Sequence, residues 1–300
     1  MKRRPLYIET KINCELDTLW TQTQDPTIHQ LWDLRFTEIK YLPKNEATDP
    51  QKFLYSTKIG FGIKVNGIGE SVATKTKDNG ERTSVLKFSS DSNLSVIKEG
   101  SGYWKYIPEQ GGIKFFTGYD YQTRWGFFGQ VFDKFIFRPL MIWATAWSFD
   151  CLKNWIEIGI HPKQAIRGQL TILLSSIALG LVWIYQGLVP KLLFTNTGEI
   201  EILKQSGLFI GNEKNVLTFI GWAEILFGLI ILFVHKKPIH IINIITLLLL
   251  SAAAIFSNAK IFTFPFNPFS LNISLITISI IAILNFGCLP KASNCITKQK

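Results

Sequence analysis

Little in this sequence can hold a metal or close a disulfide. There are four cysteines in 300 residues, Cys14, Cys151, Cys288 and Cys295, and no CxxC pair. Neither a disulfide framework nor a zinc knuckle is expected. The four histidines lie apart, at 29, 161, 235 and 240, and no HExxH occurs. His235 and His240 flank a tight turn with no carboxylate or thiol beside them, so no metal site is expected. P-loop, GxSxG and Asp-rich metal-loop motifs are missing as well. Gly60-Phe-Gly62 and Gly67-Ile-Gly69 do not make GxGxxG, and both are read as hairpin glycines. An apolar leader is also lacking. Met1-Lys-Arg-Arg is followed by a stretch that carries Glu9, Lys11, Glu15 and Asp17, and no signal peptide is expected. Charged residues are scarce, 18% against roughly 25% in a soluble domain. With 47% hydrophobic and 13% aromatic residues, the composition is nonetheless not that of a disordered chain.

The scarcity of charge belongs to the second half. Only 9 of the 32 basic and 4 of the 22 acidic residues follow Gly168. Four long apolar runs stand there in succession, and spans are expected over about 168–189, 215–234, 238–258 and 269–289. Such lengths match the ~20 residues that cross ~30 Å of hydrocarbon. Pro265 and Pro268 set the start of the last span near Phe269. Lys163, Arg167, Lys236, Lys237, Lys291, Lys298 and Lys300 outnumber Lys191, Lys204, Lys214 and Lys260 on the other side. A multi-pass protein of the cell membrane with both termini cytoplasmic is therefore expected. The net charge is +10, and the basic residues of the first half are spread evenly. That suits an anionic lipid surface, the bilayer being the expected partner, and no nucleic acid is expected.

Glu224 falls near the middle of the second span. A carboxylate there costs on the order of several kcal/mol unless it is protonated or paired. No Lys or Arg lies mid-span, so Glu224 is expected to be protonated. Its expected partner is a hydroxyl among Ser251, Thr277, Ser279, Ser175 and Ser176. Two readings stay open: a proton or polar-ligand site, or hydrogen-bonded packing between helices. Gln186, Lys191, Asn267 and Asn272 complete the candidate intramembrane polar set.

The first half alternates differently. A short strand at 6–12 precedes a helix at 15–23, and Asp25-Pro26 opens a second helix. Five β-rich runs follow, at 53–59, 70–76, 83–88, 94–107 and 113–121. Asn66-Gly67, Asp78-Asn79-Gly80 and Gly111-Gly112 are read as turns between them. From Gly126 to about Ile160 the pattern is helical, with a kink expected at Pro139. This order is the helix-grip architecture, in which a curved sheet wraps the last helix and leaves an apolar cavity. The expectation is an α+β helix-grip soluble domain over 1–165, followed by an all-α four-helix transmembrane bundle over 166–300. Trp104, Tyr106, Tyr119, Trp143 and Trp147 are the cavity candidates, with ordinary core or membrane-surface packing as the alternative. Asp33 and Arg35 are read as an ion pair or as polar groups at the cavity mouth.

Two resemblances add to this. Leu19-Trp20, then Asp25, then His29 to Trp32-Asp33, together with the element order, resemble the SRPBCC superfamily (START-like, polyketide-cyclase-like, Bet v 1-like) over roughly 4–160. Trp183-Ile-Tyr185-Gln-Gly187-Leu-Val-Pro190-Lys191, Gly221-Trp-Ala-Glu224-Ile-Leu-Phe-Gly228, and Pro265-Phe-Asn267-Pro268 with Asn272 resemble the DoxX-like family. The first implies binding of a hydrophobic ligand such as a lipid, a sterol or an aromatic polyketide, and the function expected of this chain is a membrane-anchored binding protein for a lipid, isoprenoid or quinone-like molecule. The second implies a membrane redox setting. No haem-ligating histidine pair stands mid-span, and no resident cofactor is expected beyond a bound quinone or lipid. The alternatives are an accessory subunit of a quinone-linked complex with a membrane redox partner, or an enzyme for an aromatic or polyketide-like substrate. Whether any reaction is catalysed stays open.

Overall fold

The computed structural model describes residues 4–299, except Ala47, Phe61, Thr197, Leu208, Phe266 and Cys288. Readings that rest on Met1 to Arg3, Phe61, Phe266, Cys288 or Lys300 lie outside these residues. The chain forms two compact units, Met1–Ala165 with Pro290–Lys300, and Ile166–Leu289.

The first unit begins with β1 (Leu6–Ile12), α1 (Leu16–Gln24) and α2 (Pro26–Trp32). Asp25 starts α2 by accepting from the amides of Thr27 and Ile28, with Pro26 in the first turn where its missing N–H costs nothing. Six strands follow: β2 (Glu38–Tyr41), β3 (Gln51–Gly60), β4 (Ile63–Thr76), β5 (Arg82–Ser89), β6 (Ile97–Glu109) and β7 (Gly112–Thr123). They form an antiparallel meander, and β1 returns to pair with β7, giving the order β1-β7-β6-β5-β4-β3-β2. Register shifts at Lys58/Gly60, Ser71/Ala73 and Ile97/Glu99 are the kind that bend a sheet.

Gly67 and Gly69 are not hairpin residues. Both lie inside β4, where Tyr55 stands opposite Gly67 and Phe53 opposite Gly69. A Cβ at Gly67 would fall 2.2 Å from the Tyr55 ring, and one at Gly69 would fall 2.1 Å from the Phe53 ring. Phe88 opposite Gly100 repeats the arrangement. Each ring lies over the space that a side chain would take.

The helical stretch after Gly126 is three pieces: α3 (Gly126–Phe132), a π-helical turn (Asp133–Phe137) and α4 (Arg138–Ile158). Pro139 offers no N–H to the carbonyl four residues back, inside that turn, and the wider turn accommodates the loss. α4 is buried on all sides from Thr145 to Leu152, and Phe149 stacks on Phe115 of β7 with ring centroids 4.5 Å apart. The last residues belong to this unit as well. Ile296 exchanges both backbone hydrogen bonds with Glu9 of β1, covering the sheet edge. Asp150, 1% exposed, accepts from the Lys291 amide at 2.7 Å and from Asn294 Nδ2 at 2.9 Å.

The second unit holds α5 (Pro162–Leu188, continued by a π-helical turn Val189–Leu193), α6 (Glu199–Ser206), α7 (Glu213–Phe233), α8 (Lys237–Asn258) and α9 (Pro268–Asn285). Four of these, all but α6, are long and apolar enough to cross a membrane. α5 and α7 approach where glycine removes the side chain. A Cβ at Gly187 would lie 2.4 Å from the Gly221 carbonyl, and one at Gly180 would lie 2.9 Å from that of Gly228. Small residues permit such close packing in lipid, where hydrophobic attraction between helices is absent. Trp183 Nε1 donates to Asn243 Oδ1, and Asn243 Nδ2 donates to Ser279 Oγ, both at 2.7 Å, linking α5, α8 and α9.

Asp150→Ala should leave the tail's amide and Asn294 without their acceptor. A loss of about 1.5–3 kcal/mol is expected for hydrogen bonds to a charged acceptor. Thermal unfolding in detergent, followed by tryptophan fluorescence, measures it.

Candidate functional site

The curved sheet and α4 enclose a cavity of about 670 Å³ in the first unit. That volume suits a small ligand. Its wall is mainly aromatic and aliphatic. Phe53, Tyr55 and Phe88, the three rings laid over glycines, all line it, as does Tyr119. Of the five aromatic candidates, Trp104, Tyr119 and Trp143 line the cavity, with Trp143 half-exposed. Tyr106 and Trp147 are absent from its lining. Tyr106 is fully buried, its hydroxyl 2.7 Å from Thr23 Oγ1 and accepting from Gln24 Nε2. Trp147 is buried in the stretch of α4 that is covered on all sides. The helical pattern could not distinguish the cavity-facing turn of α4 from the turn below it.

The wall has one strongly polar place. Asp33, at the end of α2, has no exposed side-chain surface and binds Arg35 through two bonds, Nε to Oδ1 at 2.9 Å and NH2 to Oδ2 at 2.6 Å. His29 Nε2 lies 3.0 Å from Asp33 Oδ2, one helical turn away. His29 and Arg35 both line the cavity. Burial pushes the Asp33 carboxyl up, but the Arg35 guanidinium and the His29 hydrogen bond outweigh it and hold the group well below the usual carboxylate range. Burial likewise pushes His29 down, so the imidazole is neutral at pH 7. An ionised Asp33 only accepts. His29 therefore carries its hydrogen on Nε2 and keeps a lone pair on Nδ1. Tyr119 extends the cluster. Thr145 Oγ1 donates to the Met141 carbonyl at 2.7 Å, so Tyr119 donates to Thr145 across 3.0 Å. The Arg35 guanidinium carbon sits 5.6 Å from the centre of the Tyr119 ring. Asp33 and Arg35 are thus both an ion pair and part of the cavity, and His29 is the member the sequence did not single out. A carboxylate four residues after a histidine on a helix was the available signal.

The membrane unit has a second polar cluster, and it corrects the expectation for Glu224. Lys191 Nζ lies 3.0 Å from Glu224 Oε2 and 3.2 Å from Glu199 Oε1. Both Lys191 and Glu224 are buried. Among the described residues, none of the five expected hydroxyls is seen bonded to Glu224. Ser251 accepts from Asn272, Ser279 accepts from Asn243, and Thr277 donates to the carbonyl of Ile273. Lys191 stood among the candidate polar residues but was not read as the partner of Glu224, because its Cα lies beyond the apolar run. Helical side chains lean toward their own N-terminus, so on two antiparallel helices they lean toward each other. Lys191 Nζ also donates to the Gln186 carbonyl at 3.2 Å, whose helical partner would be Pro190, a residue with no N–H. Asn267 is elsewhere, capping α9 by accepting from the Ser270 amide. Asn272 pairs with Ser251, away from Glu224. Asn243, an amide in the middle of an apolar run, was legible and was not singled out. No group of three or more His, Cys, Asp or Glu that could hold a metal occurs among the described residues.

The two units define a membrane protein with a helix-grip domain and a DoxX-like domain, and residues 180–280 match the DoxX-like family. The uncharacterized membrane protein YndG of Bacillus subtilis (strain 168) is 47% identical over 203 residues, 67% of this chain and 75% of its own. The chain belongs to the family of that membrane protein. Among solved structures, it is similar to TTHA0849 from Thermus thermophilus, at 17% identity over 46% of this chain and 86% of that one, with a TM-score of 0.35. A STAR-related lipid transfer protein fragment from Xanthomonas axonopodis is 11% identical over 49% and 82%, with a TM-score of 0.37. The di-domain ARO/CYC StfQ of the steffimycin biosynthetic pathway is 14% identical over 52% and 53%, with a TM-score of 0.38. TM-scores this low decide nothing, and the fold is read from the strand order and α4.

Lys191→Leu should destabilise the protein more than Lys191→Leu combined with Glu224→Leu. A buried charge stripped of its partner costs about 3–5 kcal/mol, whereas an apolar pair of similar volume is often neutral. Unfolding temperatures of the three purified variants in one detergent give the comparison.

Asp33 makes a pH-dependent contribution of known sign. Its folded pKa lies below the unfolded value of about 3.9, so its stabilisation is present above that value and is lost as the pH falls through the folded one. Asp33→Asn should therefore be less stable than the parent at pH 7, and the gap should shrink below about pH 4. Hydrogen exchange at α2 and β7 across that range reads the effect.

Proposed function

We propose that this chain is a membrane-anchored binding protein for a hydrophobic small molecule, with the cavity of the first unit on the cytoplasmic side of the cell membrane. The observation that carries this reading is a large apolar cavity whose polar lining residues, the neutral His29 and the cationic Arg35, are both tied to one buried carboxylate. A packed core has no use for such a cluster at the edge of empty space. An apolar ligand with one oxygen head does. Its carbonyl or hydroxyl accepts from a guanidinium N–H, and a hydroxyl donates to His29 Nδ1. Asp33 already neutralises Arg35, so an uncharged head fits better than a carboxylate. Lipids, isoprenoids and quinone-like molecules meet that description. The four spans keep the site beside the phase in which such molecules dissolve. The distribution of Lys and Arg supports cytoplasmic termini. The return of residues 290–300 to the first unit agrees with an even number of crossings.

Ala144 lines the cavity from α4, and Ala144→Phe fills part of it. Overfilling costs about 1–3 kcal/mol, which leaves a folded protein. Native mass spectrometry of detergent-purified protein should show a small apolar molecule on the parent and its loss from the variant. A parent that carries no such molecule, and takes up none from added quinone, isoprenoid alcohol or lipid, would refute the binding function.

A further inference from the structure

The segment from Arg124 to Trp147 presents apolar surface to the outside. Phe127 is 74% exposed, Phe128 81%, Phe135 68% and Ile136 55%. Single exposed apolar residues mean little, but a contiguous group of large ones marks an interaction surface. Trp125 holds the segment in place at some cost. It takes the left-handed conformation, φ 66°, rare for a residue with a bulky side chain, and Gly126 follows with φ 53°.

We propose that α3 and the π-helical turn after it form a membrane-contacting surface, with Phe127, Phe128 and Phe135 seated in the interfacial layer of the bilayer. Three features favour lipid over a protein partner. The first is charge. Lys134 is exposed beside the aromatics, its ammonium 5.2 Å from the centre of the Phe135 ring, while Arg124 and Arg138 are half-buried at the edges of the patch and donate to the carbonyls of Ser90 and Arg4, and Asp133 is the segment's only acid. Asp133 is 1% exposed and accepts from the Tyr121 hydroxyl at 2.6 Å. Basic residues beside exposed aromatics suit an anionic headgroup layer. The second is connection. Only residues 159–161 join α4 to α5, so the chain tethers this unit to the first span by a short link. The third is continuity with the cavity. Trp125, Phe132, Leu140 and Trp143 are exposed and also line the cavity. An apolar molecule that enters there from lipid keeps its chain out of water.

The test uses full-length protein in liposomes of phosphatidylcholine and phosphatidylglycerol. A benzophenone amino acid in place of Phe128 replaces one exposed aromatic by another, so folding is preserved. A second sample carries it in place of Asn79, in the β5-proximal turn. Illumination should attach radiolabelled phospholipid to the protein at 128 and not at 79. With the benzophenone at 135 instead, Phe127→Asp with Phe128→Asp should lower the lipid adduct roughly tenfold. Adducts at 128 only to protein, whether this chain or a second copy, would overturn the proposal, as would equal lipid labelling at 79 and 128. The labelling does not depend on an occupied cavity, so it can succeed or fail independently of the binding function.

Discussion

An interior closed between a sheet and a helix normally fills to crystal-like density. In this protein three aromatic side chains on the inner face of the sheet are laid over glycines on the neighbouring strand. Tyr55, Phe53 and Phe88 lie where Gly67, Gly69 and Gly100 leave room. Rings that lie across the backbone do not stand up into the interior. The cavity, its aromatic wall and the access of His29 and Arg35 to it all depend on that arrangement. A methyl group at any of these glycines would collide with a ring and force it inward.

Both units place an ion pair in apolar surroundings, in different ways. Asp33 and Arg35 are two residues apart, and the pair forms from local geometry with both carboxylate oxygens engaged. Lys191 and Glu224 come from different helices and meet because Gly187 and Gly221 let α5 and α7 approach. Desolvation makes neither pair a strong source of stability. What each fixes is position: Asp33 holds two cavity-lining groups in one orientation, and Lys191 joins α5, α6 and α7 at one point.

The ends of the chain are drawn to one unit. Ile296 pairs with Glu9 on the free edge of β1, and Lys291 and Asn294 bind the buried carboxylate of Asp150 on α4. An uncovered edge strand is open to pairing with other chains. The sequence grouped these residues with the membrane half, because they follow the last apolar run. Their hydrogen bonds tie them to the other half.

Composition and period alone determined the four apolar helices, the antiparallel meander and the long helix after Gly126. These follow from one-dimensional rules: the length needed to cross hydrocarbon, the alternation of a half-buried strand, and the turn preferences of Gly, Asn and Asp. Asn66-Gly67 broke the last rule, since strand pairing set that glycine opposite Tyr55 rather than in a turn. Only the tertiary structure decided which aromatics reach the cavity, that His29 joins Asp33 and Arg35 there, and that Lys191 reaches Glu224. The first and the last are set by register or by helix approach, over separations in sequence that local patterns do not encode, whereas the contacts of His29, Asp33 and Arg35 are local and only their place on the cavity wall is not. Trp143 and Trp147 sit one turn apart on one helix, and the first lines the cavity while the second is buried in the core. What separates them is the sheet and the preceding helices packed around α4, information that no window along the chain contains.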